Sequence, residues 1–409
     1  YRLVRPTFGK AAARLAGLVM ACSPVAVAVS RTNNIDSLLV FTLLLATWLL
    51  FRGISGQKIL WVLGAFAMIG VGFNIKMLQA YLVAPAFYLF CLLALKGSWP
   101  RKMAVLGAAT AVMVAVSLSW AVLVDAIPQA HRPYIGGSKT NSVLELALGY
   151  NGISRLTGNR GGMGPGAQGG EGPGRPSAQN DGGAVEGGQP MSREGNTGSD
   201  GRQMTQYRIN GPGHFAPEGG GPGAAPGTAG GGPQGGGMFG TGQAGPLRLL
   251  QSELSGQISW LLPFVAFAGV GLLAGPGRRK PLTARQGETL FWLAWLLPGV
   301  AFFSVAGFFH QYYLIMLAPP LAALAGTGWV ELFQQYRSRQ GWKRWLLPAG
   351  LLATTVFQLY VLHPYRDQIG PGWLMGLGAA GIGLSLVLFL SAGRGRPASA
   401  AALAAMLVL

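Results

Sequence analysis

The chain has 409 residues, of which half are apolar and 11% are charged, and its formal net charge is +18. Soluble domains carry about 25% charged residues, so this shortage of charge predicts a membrane protein and excludes an ordinary soluble domain. The basic residues fall in short clusters between apolar runs and form no nucleic-acid-binding motif, so nucleic acid is not an expected partner.

Apolar runs recur along most of the chain. A membrane-crossing helix needs about 20 apolar residues, and the sequence offers ten such runs, with the apolar C-terminal residues as a partial eleventh. The runs are 11–29, 37–51, 59–73, 80–95, 103–124, 257–273, 289–305, 312–333, 345–362 and 373–391. The predicted fold class is therefore all-α, a polytopic bundle of about ten to eleven transmembrane helices.

Basic residues cluster on alternate connections between these runs. The clusters are Arg2/Arg5/Lys10/Arg14, Arg52/Lys58, Lys96/Arg101/Lys102, Arg278/Arg279/Lys280/Arg285, Arg337/Arg339/Lys343/Arg344 and Arg394/Arg396. Alternate connections share one side of a bundle, and the positive-inside rule makes a side rich in Lys and Arg cytoplasmic. The remaining connections, which hold all four histidines, are then predicted to be external.

One external segment, residues 157–246, is rich in Gly, Pro, Gln and Ser and almost lacks large apolar residues. Such a composition cannot bury enough surface to fold, which predicts a long disordered external loop. The alternative is a loop that becomes ordered over a substrate. The segment divides the chain into an N-terminal part of the bundle with its external loop, 1–156, and a C-terminal part, 247–409.

Asp36 is the first candidate for chemistry, because it is the only carboxylate among residues 1–124 and precedes an apolar run. A charge at the end of a membrane span must face water, protein or substrate. The side chain could cap the following helix, and it could also bind or deprotonate a polar substrate. Arg31 and Asn34 lie in the same polar strip and could contact a phosphate or sugar hydroxyls.

Lys76 interrupts an apolar hairpin, with Gln79 close by. The lysine could simply extend its ammonium group to the membrane surface. Alternatively, it could serve as a fixed cation for a phosphate group.

Three further polar segments lie on the predicted external side. They contain Tyr134, Tyr150 and Asn151 after the fifth run, Glu253 after the Gly-rich segment, and His310 and Tyr313 before the eighth run. The first two segments could be two halves of one external site. The third resembles an interfacial aromatic belt, in which His310 could also donate to a phosphate or sugar oxygen.

Taken together, these segments resemble bacterial polytopic glycosyltransferases of the protein mannosyltransferase and aminoarabinose-transferase-like superfamily (GT-C, family 39). The resemblance is carried by Arg-Thr-Asn-Asn-Ile-Asp at 31–36, Lys-Met-Leu-Gln-Ala at 76–80, Pro-Tyr-Ile-Gly-Gly-Ser at 133–138, Tyr-Asn-Gly at 150–152, Gln-Ile-Ser-Trp-Leu-Leu-Pro at 257–263 and His-Gln-Tyr-Tyr at 310–313.

The resemblance implies an enzyme of the hexosyl- or pentosyltransferase class in a bacterial cytoplasmic membrane. It implies inverting transfer of a sugar from a polyprenyl-phosphate-linked donor to a lipid, protein or wall-polymer acceptor. Asp36 would match a second, supporting acid, Lys76 a position near the carrier phosphate, and His310 a turn beside the site. The family's principal acid lies upstream of this sequence, so we expect a chain that lacks the N-terminal catalytic loop and is inactive by itself.

The alternative function is a transporter or flippase for a lipid-linked or anionic solute, which would place ionisable groups within the spans. A non-enzymatic assembly protein is a further alternative. No cofactor is indicated, and no residue spacing supports a divalent metal, although the chemistry would tolerate one.

Overall fold

A computed structural model describes residues 1–136, 138, 140–148, 240–274, 282–307 and 309–394. Within them, the longer helices are α1 Arg5–Cys22, α2 Pro24–Ser30, α3 Ile35–Gly56, α4 Ile59–Lys76, α5 Ala84–Ala94, α6 Trp99–Asp125, α7 Leu262–Leu273, α8 Ala284–Val305, α9 Ala318–Arg337, α10 Leu346–Leu362 and α11 Pro371–Arg394. Shorter helical turns are Met77–Val83, Gln129–His131, Val143–Glu145, Arg248–Leu250, Ser252–Ser255, Ser259–Leu261, Gln311–Leu317, Gly341–Trp345, His363–Tyr365 and Arg366–Ile369. No strand occurs in these ranges, and the all-α prediction is confirmed.

Seven helical runs in the described ranges are long and apolar enough to cross a membrane. An eighth is obtained if α1 and α2, which meet at a 63° bend, form one span. The sequence predicted ten to eleven. The numbers differ partly because Ser259–Leu273 is a shorter apolar helix and because Ile59–Ala94 counts as one helical run, although its backbone is not helical at Met77.

The run Ile59–Ala94 folds back on itself beside α3. At one end of α3, the Asp36 carboxylate bonds to Lys76 and Gln79. At the other end, Gln57 donates to the Ala94 carbonyl at 3.4 Å and accepts from the Lys96 amide at 2.9 Å. Helix α3 has 22 residues and is therefore about 33 Å long. The run thus crosses that length along α4 and returns along α5, as the predicted hairpin required.

The end of the bundle that holds Gln57 also holds most of the described basic residues, and we call it the basic end. An aromatic cluster of Phe51, Phe90 and Phe291 joins α3, α5 and α8 near this end. Arg285 pairs with Glu331 at 3.5 Å, so the end of α9 lies at the basic end as well. The described basic connections therefore share one end, which is the arrangement that the charge pattern predicted. The opposite end, which holds Asp36, is called the site end.

Small residues allow the helices to approach closely. A Cβ placed on Gly326 of α9 would lie 2.4 Å from the backbone nitrogen of Ala16 in α1. Likewise, a Cβ on Gly70 of α4 would lie 2.7 Å from the Met113 carbonyl oxygen in α6. Without water to drive apolar association, packing of this kind is a main source of contact between helices in lipid. These contacts fix the helix ends that carry the polar residues described next.

Candidate active site

The centre of the site end is an ion pair between Asp36 and Lys76. The Lys76 ammonium contacts Asp36 Oδ2, and Gln79 Nε2 donates to Asp36 Oδ1 at 3.2 Å. The Asp36 side chain is fully buried, whereas that of Lys76 is 14% exposed. Both carboxylate oxygens are engaged inside the protein, and Lys76 is the member of this pair whose side chain is partly exposed.

Asp36 does not act as the cap of its helix. Helix α3 begins at Ile35, and Asn34 is its N-cap residue, since Asn34 Oδ1 accepts from the Asp36 backbone amide at 3.0 Å. The Asp36 side chain lies in the first turn, where a negative charge also interacts favourably with the helix dipole. Asn34 thus supplies the capping role that the sequence also allowed for Asp36, which leaves the carboxylate to Lys76 and Gln79.

Aromatic rings from the segment before α9 surround the ammonium. Lys76 Nζ lies 3.8 Å from the centre of the Tyr313 ring and 4.8 Å from that of Tyr312. The His310 ring stacks on Tyr312 with a centroid separation of 5.1 Å. The faces of aromatic rings attract a cation, so these side chains and Asp36 hold Lys76 in one position. The structure therefore brings together six of the predicted site residues: Asn34, Asp36, Lys76, Gln79, His310 and Tyr313.

Arg248 stabilises the same segment and was not among the predicted site residues. Its side chain is 1% exposed, and its guanidinium donates to the Thr241 carbonyl at 2.8 Å, to Thr241 Oγ1 at 2.8 Å and to the Ala306 carbonyl at 2.5 Å. It also lies 4.7 Å from the centre of the Phe309 ring, directly before His310. Arg248 thus ties Thr241, near the end of the Gly-rich segment, to the end of α8 and to the His310 turn. The sequence feature that could have identified Arg248 is that it is an isolated arginine on the side predicted to be external.

A second polar link positions the His310 turn. Gln311 Nε2 donates to the Gly240 carbonyl at 2.7 Å, and Gln257 Nε2 donates to Gln311 Oε1 at 2.7 Å. The Gln257 carbonyl in turn accepts from the Val25 amide at 3.2 Å, at the start of α2. The Gln-Ile-Ser-Trp and His-Gln-Tyr-Tyr motifs are therefore in direct contact, although 53 residues separate Gln257 from His310.

The other predicted site residues are placed differently. Arg31 is exposed at the end of α2. Tyr134 is 91% exposed, and Glu253 accepts from the neighbouring Ser252 hydroxyl at 3.1 Å. Tyr150 and Asn151 lie outside the described residues. The structure records no bond from Arg31, Tyr134 or Glu253 to the Asp36–Lys76 pair within the described part of the chain.

The two segments expected to be halves of one site pack on different helices. Asp125, at the end of α6, accepts from Ser142 Oγ at 2.6 Å and from the Val143 amide at 2.9 Å, which fixes the segment that contains Tyr134. Met77, next to Lys76, packs against that segment as well as the main core. The segment around Glu253, by contrast, leads into Ser259–Leu261, which packs on α10.

The described residues contain no group of three His, Cys, Asp or Glu side chains that could hold a metal ion. The polar groups around Lys76 are instead the Asp36 carboxylate, the Gln79 amide, the Tyr312 and Tyr313 phenols and the His310 imidazole. Phosphate is the anion for which lysine commonly serves as a point charge, so the Lys76 ammonium is the group of this cluster that suits an anion.

Residues 1–120, which include Asp36, Lys76 and Gln79, match the family described as “Dolichyl-phosphate-mannose-protein mannosyltransferase”. Two Bacillus subtilis (strain 168) proteins are similar over 399 residues, or 93% of this chain. “Putative mannosyltransferase YkcB” is 52% identical, and the match covers 56% of it. “Putative mannosyltransferase YycA” is 49% identical, and the match covers 57% of it.

The chain thus spans little more than half the length of these curated relatives. No solved structure matches it. The matches to residues 1–120 and to nearly the whole chain confirm the resemblance that the sequence motifs indicated, to polytopic glycosyltransferases of the GT-C superfamily.

Proposed function

We propose that this chain forms the donor-binding part of a membrane glycosyltransferase that uses a polyprenyl-phosphate-linked sugar. Transfer to a lipid, protein or wall-polymer acceptor would occur at the external face of a bacterial cytoplasmic membrane, where the site end would lie. The names of the two Bacillus relatives favour mannose as the sugar. The observation that carries the proposal is the Lys76 ammonium, held by Asp36 and by two tyrosine rings beside an apolar bundle.

The proposed reaction is a single displacement with inversion. The acceptor oxygen forms a bond to the anomeric carbon, the bond from that carbon to the phosphate oxygen breaks, and a base takes the acceptor proton. Negative charge grows on the departing polyprenyl phosphate, and a cation fixed in advance stabilises that charge without reorganisation. Lys76 would supply the cation, and Asp36 would act as the supporting carboxylate that keeps it in place.

Other residues of the cluster would contact the donor or shape its site. Gln79 and His310 carry polar groups near the ammonium and would bind phosphate or sugar oxygens, while Tyr313 would provide a wall of the pocket. Arg31 and Asn34 lie in the strip next to Asp36, and Arg31 is exposed to an incoming headgroup. Apolar helix surfaces beside the site end would accept the polyprenyl chain.

Donor binding tests this proposal without requiring turnover. The purified chain in lipid nanodiscs is titrated with polyprenyl phosphate, and the Lys76→Gln variant is compared with the parent. A charged hydrogen bond to phosphate contributes enough that its loss should weaken binding about ten- to a hundred-fold. The Arg366→Gln variant is the matched control, because Arg366 is an exposed cation that follows α10 at the site end. Equal affinities for Lys76→Gln and the parent would rule out the proposed phosphate contact.

A further inference from the structure

A groove of about 920 Å³ lies between α1 and α9, far from the candidate active site. Its walls are Ala11, Arg14, Leu15, Trp329, Val330, Phe333, Gln334, Arg337, Ser338 and Gln340. One wall is apolar along α9, and arginines from both helices line the same space. The groove opens at the basic end, since it includes the residues that follow α9.

The groove lies directly beside a close contact between the two helices. They are in close contact at Gly326, where α1 contributes Ala12 and Ala16. At Gly9 the chain leaves the helical conformation, with φ 87° and ψ 177°, and all the α1 residues that line the groove follow this kink. A glycine adopts such a φ without the strain that a side chain would bring. The turn before the kink contacts α8, where the Thr7 hydroxyl donates to Glu288.

In the described part of the chain, no acidic side chain forms an ion pair with the arginines of the groove. The four ion pairs of that part are Lys76–Asp36, Arg132–Asp125, Arg285–Glu331 and Arg366–Asp367, and none includes Arg14 or Arg337. Glu331, six residues before Arg337, is already engaged: it accepts from Arg285 at 3.5 Å and from Gln335 at 2.9 Å. The guanidinium of Arg337 lies over the Phe333 ring at 5.8 Å. Two cations therefore face one space beside an apolar wall.

We propose that this groove binds an anionic diacyl phospholipid of the leaflet at the basic end. The headgroup phosphate would lie between Arg14 and Arg337, since arginine forms paired hydrogen bonds with phosphate oxygens. The acyl chains would lie along Leu15, Trp329 and Phe333. Basic pockets between transmembrane helices bind anionic headgroups in this way, and the volume lies within the range of built ligand sites.

Thermal unfolding of the purified chain in mild detergent, titrated with phosphatidylglycerol, phosphatidylcholine or inorganic phosphate, tests the site. We expect phosphatidylglycerol to raise the unfolding midpoint, and the other two additions to leave it nearly unchanged. Each of the variants Arg14→Gln and Arg337→Gln should weaken the apparent affinity for phosphatidylglycerol about five-fold. The control Arg339→Gln removes one charge from the same connection outside the groove and should retain the parent affinity.

Three results would overturn the lipid site. They are an equal response to phosphatidylcholine, an equal response to inorganic phosphate alone, and parent affinity in both groove variants. If a glutamine variant fails to fold, Arg14→Lys and Arg337→Lys keep the charge but lose the paired hydrogen bonds, and each should weaken binding by less than the corresponding glutamine. Because no step requires sugar transfer, the outcome does not depend on the proposed enzymatic function.

Discussion

Lys76 is the side chain on which the proposed chemistry of the site end depends. Its side chain is only 14% exposed, and its ammonium contacts Asp36 and the rings of Tyr312 and Tyr313. Breaking a buried ion pair from one side leaves the remaining charge without compensation, which is more unfavourable than removing both charges. The stability of the site end should therefore respond differently to single and double substitutions of this pair.

We expect Lys76→Met to lower the free energy of unfolding by about 3–5 kcal/mol, because it leaves the Asp36 carboxylate buried without its cation. The double variant Asp36→Asn with Lys76→Met should recover part of this loss. Unfolding midpoints in mild detergent provide the measurement. The exposed pair Arg366–Asp367 is the matched control cycle, and its coupling should be within about 1 kcal/mol of zero. A double variant as unstable as the sum of its single variants would contradict the buried-pair interpretation.

At the scale of single residues, the sequence predicted much of the cluster but not its connections. The shortage of acids singled out Asp36, and the break in an apolar hairpin singled out Lys76. The capping role was considered for Asp36 and not for Asn34, because the first helical residue was placed at 37 rather than at Ile35. Arg248 was missed because a lone arginine has no periodicity, and its partners Thr241 and Ala306 are distant from one another in the chain.

Among the helices, the contact of α1 with α9 depends on small residues. A Cβ on Gly326 would meet the α1 backbone, at 2.4 Å from the Ala16 nitrogen and 2.7 Å from the Ala12 oxygen. Neither atom belongs to a flexible side chain, so relief would require one helix to move. Gly107 of α6 is different, since nothing lies within 4 Å of the position where its Cβ would be.

We therefore expect Gly326→Ala to destabilise the bundle by about 1–3 kcal/mol through overpacking. Gly107→Ala should leave stability unchanged or raise it by up to about 1 kcal/mol, because alanine is the better helix former. The unfolding midpoints of both variants and the parent are compared in the same detergent. Equal midpoints for the two alanine variants would show that α1 and α9 do not approach as closely as described.

Helix positions were more predictable than helix counts. Apolar runs indicated the helices because the backbone in lipid must satisfy its own hydrogen bonds, which favours helices wherever a run is long enough. The run Ile59–Ala94 shows why counting is harder, since the turn Met77–Val83 joins α4 and α5 within one helical run, although the backbone leaves the helical conformation at Met77, with φ 44° and ψ −135°. The polar break at Lys76 indicated the reversal, and the bonds of Asp36 and Gln57 at opposite ends of α3 show how the run returns.

The whole molecule has chemically different ends. The basic end carries the cations of the connections and the Arg14–Arg337 groove, whereas the site end carries the buried Asp36–Lys76 pair and the His310 turn. Alternating loop charges predicted this division, because consecutive helices in a bundle reverse direction. The segments with Tyr134 and Glu253 were less predictable, because each is positioned by tertiary hydrogen bonds and packing rather than by a local pattern.

Sugar transfer in membranes that express the complete gene encoding this chain tests the central claim most directly. Radiolabelled polyprenyl-phosphate mannose is supplied, and labelled acceptor is measured for the parent, Asp36→Asn and the exposed control Asp367→Asn. We predict transfer by the parent and the control, and a loss of about 10²- to 10⁴-fold in Asp36→Asn, the range typical of a removed catalytic or supporting group. Parent-level transfer by Asp36→Asn would contradict the account of the site, and no transfer by the parent from any polyprenyl-phosphate sugar would contradict the proposed function.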